Sequence, residues 1–316
     1  SGPPPCAEIE AEAANLYLPV DIIWAIDSSG SMSGEIDLIQ ERMNGFVEYM
    51  EATGIDYRLT LLAGLADENI QSYDVCIPPP LSSVNNCPDA DGPRYRHVET
   101  HVDSFNALEQ LVDHYDGYSD FLRPQAAVHM VVVSDDESHM SSANFLSALR
   151  GLGHQPFTDN LTFHSVVSDA QETCILGFCW DSGCSGPYGD ASAPGHEYVS
   201  LSEETGGIFS NICSAEWDPI FESMADSVLA STRIPCAFAL PETPDGLVVD
   251  YESVDISFED ETGNVVELDR VFSENECAPG KWHYDDHSSP NYIQICSDSC
   301  GEIFGSLQIT IGCEKG

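Results

Sequence analysis

Asp27, Ser29 and Ser31 stand at alternate positions of DIIWAIDSSGSMSGE, residues 21–35, where an apolar run ends in an acid and small residues follow. Three oxygen-bearing side chains spaced by two can face one hollow if the chain turns there from a strand into a helix, and hard cations such as Mg2+ and Ca2+ take oxygen ligands. Other chemistries that use such a turn make demands these residues do not meet. A phosphate-binding loop needs G-x-x-x-x-G-K-[ST], but no lysine or arginine precedes Arg42, and Asp27 and Glu35 would repel a phosphate. A hydrolase nucleophile elbow needs G-x-S-x-G, and the frame from Gly30 to Gly34 puts Met32 in the serine position. An aspartic protease needs two short acid-Ser/Thr-Gly turns; Asp27-Ser28-Ser29-Gly30 has one residue too many, and Asp181-Ser182-Gly183 lies in a cysteine-rich stretch. Asp27 or Ser29 as a helix cap is an ordinary use of those residues, yet a cap does not call for three oxygens at this spacing. Because hydroxyls are neutral, an ion held largely by them keeps much of its charge and can accept a carboxylate from another molecule.

Placing such a turn requires a strand before it and a helix after it, and the chain repeats that pair. Strands are predicted in LPVDIIWAI, DYRLTLLAGL, AAVHMVVVS and NLTFHSVVS, with helical periodicity between them in IDLIQERMNGFVEYMEA, SFNALEQLVDHY and SSANFLSALRGL. A helix, a Gly-Gly break and a short strand follow in EYVSLSEETGGIFSNI, and AEWDPIFESMADSVLAS closes the series. Strand-helix alternation predicts an α/β fold, a doubly wound, mostly parallel sheet flanked by helices on both faces. Beyond Ile234-Pro235 the pattern changes to short β-prone pieces, LVVDYESVDISFE, NVVELDRVF, YIQIC and SLQITIG, which predict a small β-rich C-terminal module. The expected division is an N-terminal extension over 1–16, the α/β domain over 17–231 with a cysteine-rich insertion at 170–195, and the module over 232–316.

Twelve cysteines with no C-x-x-C pair argue for disulfides and hence an oxidising, extracellular or cell-surface location. Short loops favour Cys76 with Cys87, pairing inside the 174–184 cluster, and bridges among the last four, Cys277, Cys296, Cys300 and Cys313. The SGPPPC start lacks the basic-then-apolar layout of a signal peptide and is expected to be a processed or trimmed end. Fifty-four acids against ten bases give a formal charge of −44, a field that opposes nucleic acid and anionic membrane surfaces. No apolar run is long enough for a membrane span. Among the ten histidines, His97 and His101 fall in a strand-like segment some 13 Å apart, at roughly 3.3 Å per residue, too far for one zinc. No serine or cysteine has an assignable base, so no catalytic triad is expected.

The D-x-S-x-S run after an apolar strand resembles the first loop of the metal-ion-dependent adhesion site (MIDAS) of von Willebrand factor type A (VWA) domains. That resemblance implies two further ligand loops. One is a Ser or Thr before a later helix, which falls in HVDSFNALEQL at Ser104, with Thr100 in reserve. The other is an Asp after the fourth strand, Asp135 in MVVVSDDES. Asp136 stands where the family usually has glycine, and with Glu137 it is expected to add negative charge at the rim. The combination of FLRPQAAVHMVVVSDDES with a tail carrying GKWHYDD, YIQICSDSC and ITIGC is similar to secreted or lipid-anchored VWA proteins of myxobacteria and their relatives. The expected function is therefore non-enzymatic: Mg2+ or Ca2+ held by Asp27, Ser29, Ser31, Ser104 and Asp135, accepting an acidic group of a protein or other ligand. The alternative is a structural subunit of a surface layer or extracellular filament, self-associating, in which cation and disulfides only stabilise.

Overall fold

The computed structural model describes residues 5–12, 19–65, 72–175, 178–232, 237–240, 247–259, 264–296, 299 and 306–315. They fall into two compact units, one of Leu18–Thr232 and one that joins Ser1–Tyr17 to Arg233–Gly316. Strand β1 (Pro5–Glu12) belongs to the second unit, so the segment read as an N-terminal extension supplies a strand to the C-terminal module.

The larger unit runs β2 (Val20–Ile26), α1 (Ser33–Ala52), β3 (Tyr57–Ala63), β4 (Tyr95–Glu99), α2 (Ala107–Asp113), β5 (Ala127–Val133), α3 (Ser142–Gly151), α4 (Pro156–Asp159), β6 (Leu161–Val167), a hairpin of β7 (Gln171–Ile175) and β8 (Phe178–Ser182), α5 (His196–Thr205), β9 (Phe209–Asn211) and α6 (Asp218–Thr232). Its six-stranded sheet has the order β4-β3-β2-β5-β6-β9, and every pairing in it is parallel. This is the doubly wound α/β architecture that the strand-helix alternation implies.

All seven residues of β2 and all seven of β5 are buried, because the two central strands are covered on both faces. Alternate residues of β2 serve the two faces. Ile23 and Ala25 pack in a cluster with Leu108 and Leu111 of α2, Phe145 and Leu149 of α3, and Tyr198 and Leu201 of α5. Trp24 points the other way, stacked on Phe221 of α6 at 5.6 Å and edge-on to Phe46 of α1 at 5.8 Å. The amino ends of the strands are tied by Arg123. Its Nε donates to Asp21 Oδ1 at 2.9 Å, Nη1 to Asp56 Oδ2 at 2.6 Å, and Nη2 to the Val20 carbonyl at 2.8 Å.

The chain enters this sheet in the middle. From β2 it builds outward through β3 to β4, then returns to the other side of β2 with β5 and builds outward again through β6 to β9. The carboxyl ends of β2 and β5 are therefore neighbours whose following loops leave in opposite directions, the crevice where open α/β sheets place ligands.

The smaller unit is a seven-stranded sheet of order β1-β15-β11-β12-β13-β14-β10, formed with β10 (Ala237–Ala239), β11 (Leu247–Glu259), β12 (Val265–Arg270), β13 (Lys281–Tyr284), β14 (Tyr292–Ile295) and β15 (Ser306–Lys315). Among the described residues of this sheet, only β12 and β13 pair in parallel. Ile256, Phe258, Trp282, Ile293 and Ile309 lie in its core.

Four disulfides join described residues: Cys76–Cys87, Cys174–Cys179, Cys184–Cys213 and Cys277–Cys296. The first two are pairings the short loops imply, Cys76 with Cys87 and Cys174 with Cys179 inside the 174–184 cluster, while the third takes the cluster's remaining cysteine elsewhere. Cys184 bonds across 29 residues to the turn after β9, since β6 and β9 are adjacent strands and the segments leaving them meet. Among the described residues no helix is long and apolar enough to cross a membrane.

Candidate metal centre

Asp27 follows the last residue of β2 and is completely buried. Its amide donates to the Val133 carbonyl at the end of β5, which holds the two strand ends together at the crevice. One carboxylate oxygen, Oδ1, accepts the Ser29 amide at 2.8 Å, and the other accepts the Ser134 hydroxyl at 2.9 Å. The first bond closes a turn of the side chain on its own loop, a use to which aspartate is suited. A 3-10 turn (Gly30–Met32) then leads into α1, and no side chain caps either of these helices.

The hydroxyls form a chain. Ser29 Oγ lies 3.2 Å from Ser31 Oγ, and Ser104 Oγ donates to Ser29 Oγ at 3.2 Å. Ser104 sits in the turn before α2, positioned by Asp103, whose carboxylate accepts the Ser104 amide, and by Asn106, which accepts the Asp103 amide. The Ser134 hydroxyl is the bracket between loops, since it is within hydrogen-bond distance of both Asp27 Oδ2 and the Ser104 carbonyl. Thus loops separated by 75 and 107 residues in sequence contact one another directly. Thr100, the reserve for Ser104, is not part of this group; its hydroxyl is taken by Gln110 Oε1 and His114 Nε2.

Asp135 is 3% exposed, and neither of its carboxylate oxygens has a hydrogen-bond partner. Its carbonyl is engaged, accepting the amides of Ser192 at 2.7 Å and Ala193 at 3.4 Å from the stretch after the β7–β8 hairpin. Burial pushes the Asp27 carboxyl up to about 7, helped by the charge of Asp135 and opposed by the bonds from Ser29 and Ser134. Burial likewise raises Asp135, and the Asp136 charge adds to it. Ser31 and Asp27 lie near enough to Asp135 to offset part of that rise without completing a hydrogen bond. Among the described residues no lysine, arginine or histidine forms an ion pair with Asp27 or Asp135.

Two buried carboxylates beside three hydroxyls, with no basic residue to balance them, form a donor set of hard oxygens that lacks a positive charge. Oxygens only, with both carboxylate oxygens of Asp135 unpartnered, suit Mg2+ or Ca2+ and do not suit a metal that prefers nitrogen or sulfur. Asp135→Asn is expected to stabilise the cation-free protein by about 1–2 kcal/mol, because it removes a buried unpartnered charge and sets an amide within reach of Asp27. Thermal melts in chelator measure this, and a lowered midpoint would mean that the Asp135 carboxylate is already satisfied.

The two acids expected at the rim behave differently. Glu137 is turned toward α5, where Oε2 accepts the His196 amide at 2.7 Å and Oε1 accepts the Glu197 amide at 3.1 Å. Its charge thereby meets the amino end of a helix and is not presented as free negative charge at the rim. Asp136 is half-buried and accepts the Glu137 amide. His97 and His101 are likewise placed apart: His97 lies between Asp89 and the Ala63 carbonyl, and His101 faces Ser28.

Sequence reasoning did not single out the linking role of Ser134, the amides of Ser192 and Ala193, or Glu35. Glu35 is 3% exposed in the first turn of α1, its Oε2 has no partner, and burial followed by the charge of Asp135 raises its carboxyl above the usual range. Its one sequence signal was an acid at the edge of the Ser-rich loop.

No family model matches the chain, and no curated protein matches it. Among solved structures, the crystal structure of the conserved hypothetical protein BatB from Bacteroides thetaiotaomicron matches at 13% identity, over 67% of this chain and 98% of that one, with a TM-score of 0.34.

Proposed function

We propose that this chain is an extracellular, non-enzymatic binding protein whose larger unit holds Mg2+ or Ca2+ through Asp27, Ser29, Ser31, Ser104 and Asp135, and that the ion takes a carboxylate from a partner. The observation that carries the reading is the pair of buried, unpartnered oxygens on Asp135 beside buried Asp27 at the sheet's switch point. Leaving such groups bare costs free energy that a cation would recover. The order of the three loops, and their resemblance to the MIDAS of VWA domains, support the same reading. In this role the ion supplies a Lewis-acidic coordination position. The protein's own residues orient it: Ser134 braces Asp27, Asp103 fixes Ser104, and the 192–193 amides fix Asp135.

One observation favours a second reading, a structural subunit of a surface layer or extracellular filament. Asp135 lies nearly out of solvent beneath the segment that includes Ser192, an enclosure suited to an ion that stabilises the protein itself. Calorimetric titration with Mg2+ and with Ca2+ tests the first reading. Binding is expected, with a stability gain of about 3 kcal/mol at a hundredfold excess over Kd, and Asp27→Ala is expected to abolish both. Absence of heat and of a thermal shift with either ion removes the proposal. Size exclusion in Ca2+ and in chelator separates the readings, since a filament subunit assembles with the ion while a binding protein keeps its size.

A further inference from the structure

We propose that Phe105 and His139 form an apolar platform beside the open side of the cation centre, and that the partner it fits is a protein segment carrying an Asp or Glu next to a large apolar side chain. The inference rests on the cation-binding reading above and specifies the partner.

The donor set is closed at its carboxylates and open at its hydroxyls. Asp27 and Asp135 are buried, and the Ser192 and Ala193 amides lie against the Asp135 backbone. Gly30 and Ser31 are exposed and Ser104 is half-buried, so the hydroxyl side faces water. A carboxylate from another molecule has its approach there, and Phe105, the residue after Ser104, adjoins that approach.

Two loops fix its position. Ser134 Oγ lies 3.0 Å from the Ser104 carbonyl oxygen, and the His139 amide donates to the Phe105 carbonyl at 3.0 Å, so residues 104–105 are tied at two points to the loop after β5. The Phe105 ring stacks on His139 with centroids 4.1 Å apart and planes at 25°. Phe105 is nonetheless 37% exposed, and His139 is exposed as well. A single apolar side chain on a surface calls for no explanation by itself. This one is held against a ring from another loop, which narrows its rotamers before a partner arrives and lowers the entropy cost of using it as a contact. Tyr73, also exposed, supplies a second aromatic, and its amide donates at 2.9 Å to the carbonyl of Ser28, between Asp27 and Ser29.

Charge narrows the choice of partner. Glu137 is spent on the amino end of α5, while Asp103 and Asp136 are half-buried on the same two loops as Phe105 and His139. With a formal charge of −44 on the chain, a ligand bearing an acid at every repeat, such as a polyuronate, is repelled along its whole length, and a second copy of the chain is repelled likewise. A protein segment with one acid among apolar and basic residues avoids that cost. It delivers a carboxylate to the ion and lays the neighbouring apolar side chain on Phe105, where aromatic anchors commonly carry much of an interface's energy.

Panning a phage-displayed library of random peptides on the full chain, with MgCl2 and CaCl2 present and elution by chelator, tests the inference. Recovered peptides are expected to share an Asp or Glu adjoining a large apolar residue. For a synthetic peptide of the recovered sequence, Phe105→Ala is expected to weaken binding by about tenfold or more, His139→Ala by about threefold or more, and Phe105→Tyr by less than about threefold. Calorimetry is expected to find the Mg2+ and Ca2+ affinities of Phe105→Ala within about twofold of the unmodified chain, because Phe105 contributes no ligand atom. Peptides that lack the apolar neighbour, or that bind Phe105→Ala equally well, overturn the platform and leave the cation-binding reading standing. So does a chain that binds the ion yet enriches no peptide, or that takes alginate or a second copy of itself in the peptide's place. If neither ion binds, the reading beneath fails and the inference fails with it.

Discussion

Arg123→Met is expected to destabilise the larger unit by about 3–5 kcal/mol, read as a fall in the urea midpoint. Arg123 is 8% exposed, and its guanidinium and amide both serve Asp21, itself 1% exposed. Methionine fills much of the same volume but leaves the buried Asp21 carboxylate with the residue-123 amide as its hydrogen-bond donor and the charge of Arg58 as its remaining electrostatic support. Burial already raises the Asp21 carboxyl, with Arg123 opposing it, so in the variant Asp21 takes a proton at higher pH. The partner on the other side matters less. The Asp56 side chain is 70% exposed, so Asp56→Ala is expected to cost under about 1 kcal/mol despite its 2.6 Å contact with Arg123. The double variant Arg123→Met with Asp21→Asn is expected to recover at least half of the single variant's loss, since it removes the stranded charge. A double variant no more stable than the single one would mean that packing, and not the charge, sets the cost.

Acidification from pH 6.5 to 4 is expected to remove roughly 3 kcal/mol through buried His164 alone, and more through its buried partner His129. His129 and His164 are fully buried on β5 and β6, with rings stacked at 5.2 Å. The Ile208 amide donates to His164 Nδ1, so the proton of a neutral His164 sits on Nε2 and is given to His129 Nδ1 at 2.9 Å. His129 then carries its proton on Nε2 and donates it to the Ser231 hydroxyl at 2.7 Å, and Ser231 donates to the Val228 carbonyl. Every link has one direction, and an extra proton on either ring has no acceptor. Burial lowers His164 to about 4 and puts His129 well below its usual range. Between those values and about 6.5 the unfolded chain binds protons that the folded chain refuses, so stability falls as pH falls through that window. Asp21, Asp27 and Glu35 have raised carboxyls and act in the opposite direction. The histidine share is therefore read as a difference from His129→Gln/His164→Gln, in which amides can keep the same donor-acceptor direction and do not titrate. Equal pH slopes in the two proteins would exclude the pair as the source.

How far the sequence discloses this protein depends on which physical signal each residue leaves. Strands β2 and β5 are legible because burial on both faces demands unbroken apolar runs, and Trp24 and Ile23 follow from that run without regard to what they touch. The half-buried edge strand β4 leaves a weaker pattern, and the hairpin of β7 and β8 leaves almost none in a stretch rich in Gly, Ser and Asp. Asp27, Ser29 and Ser31 are conspicuous through their spacing after an apolar run. Ser104 and Asp135 are found only once a pattern says where to look. Glu35 is one acid among fifty-four, and nothing in its local sequence distinguishes a buried carboxylate from a solvated one. The partner of Cys184 is hidden for a related reason, since adjacency of β6 and β9 is a property of the sheet order and not of sequence distance.

Strand β1 aligns Pro5 with Gly312 and Glu12 with Ser306, so the smaller sheet is closed by pieces from opposite ends of the chain. During synthesis from the amino terminus the first strand emerges more than two hundred residues ahead of its neighbour and must wait while Leu18–Thr232 acquires its own core. Completion of the smaller sheet is thus a late event with a large loop to close, and until then β1 presents an unpaired backbone edge to whatever lies nearby.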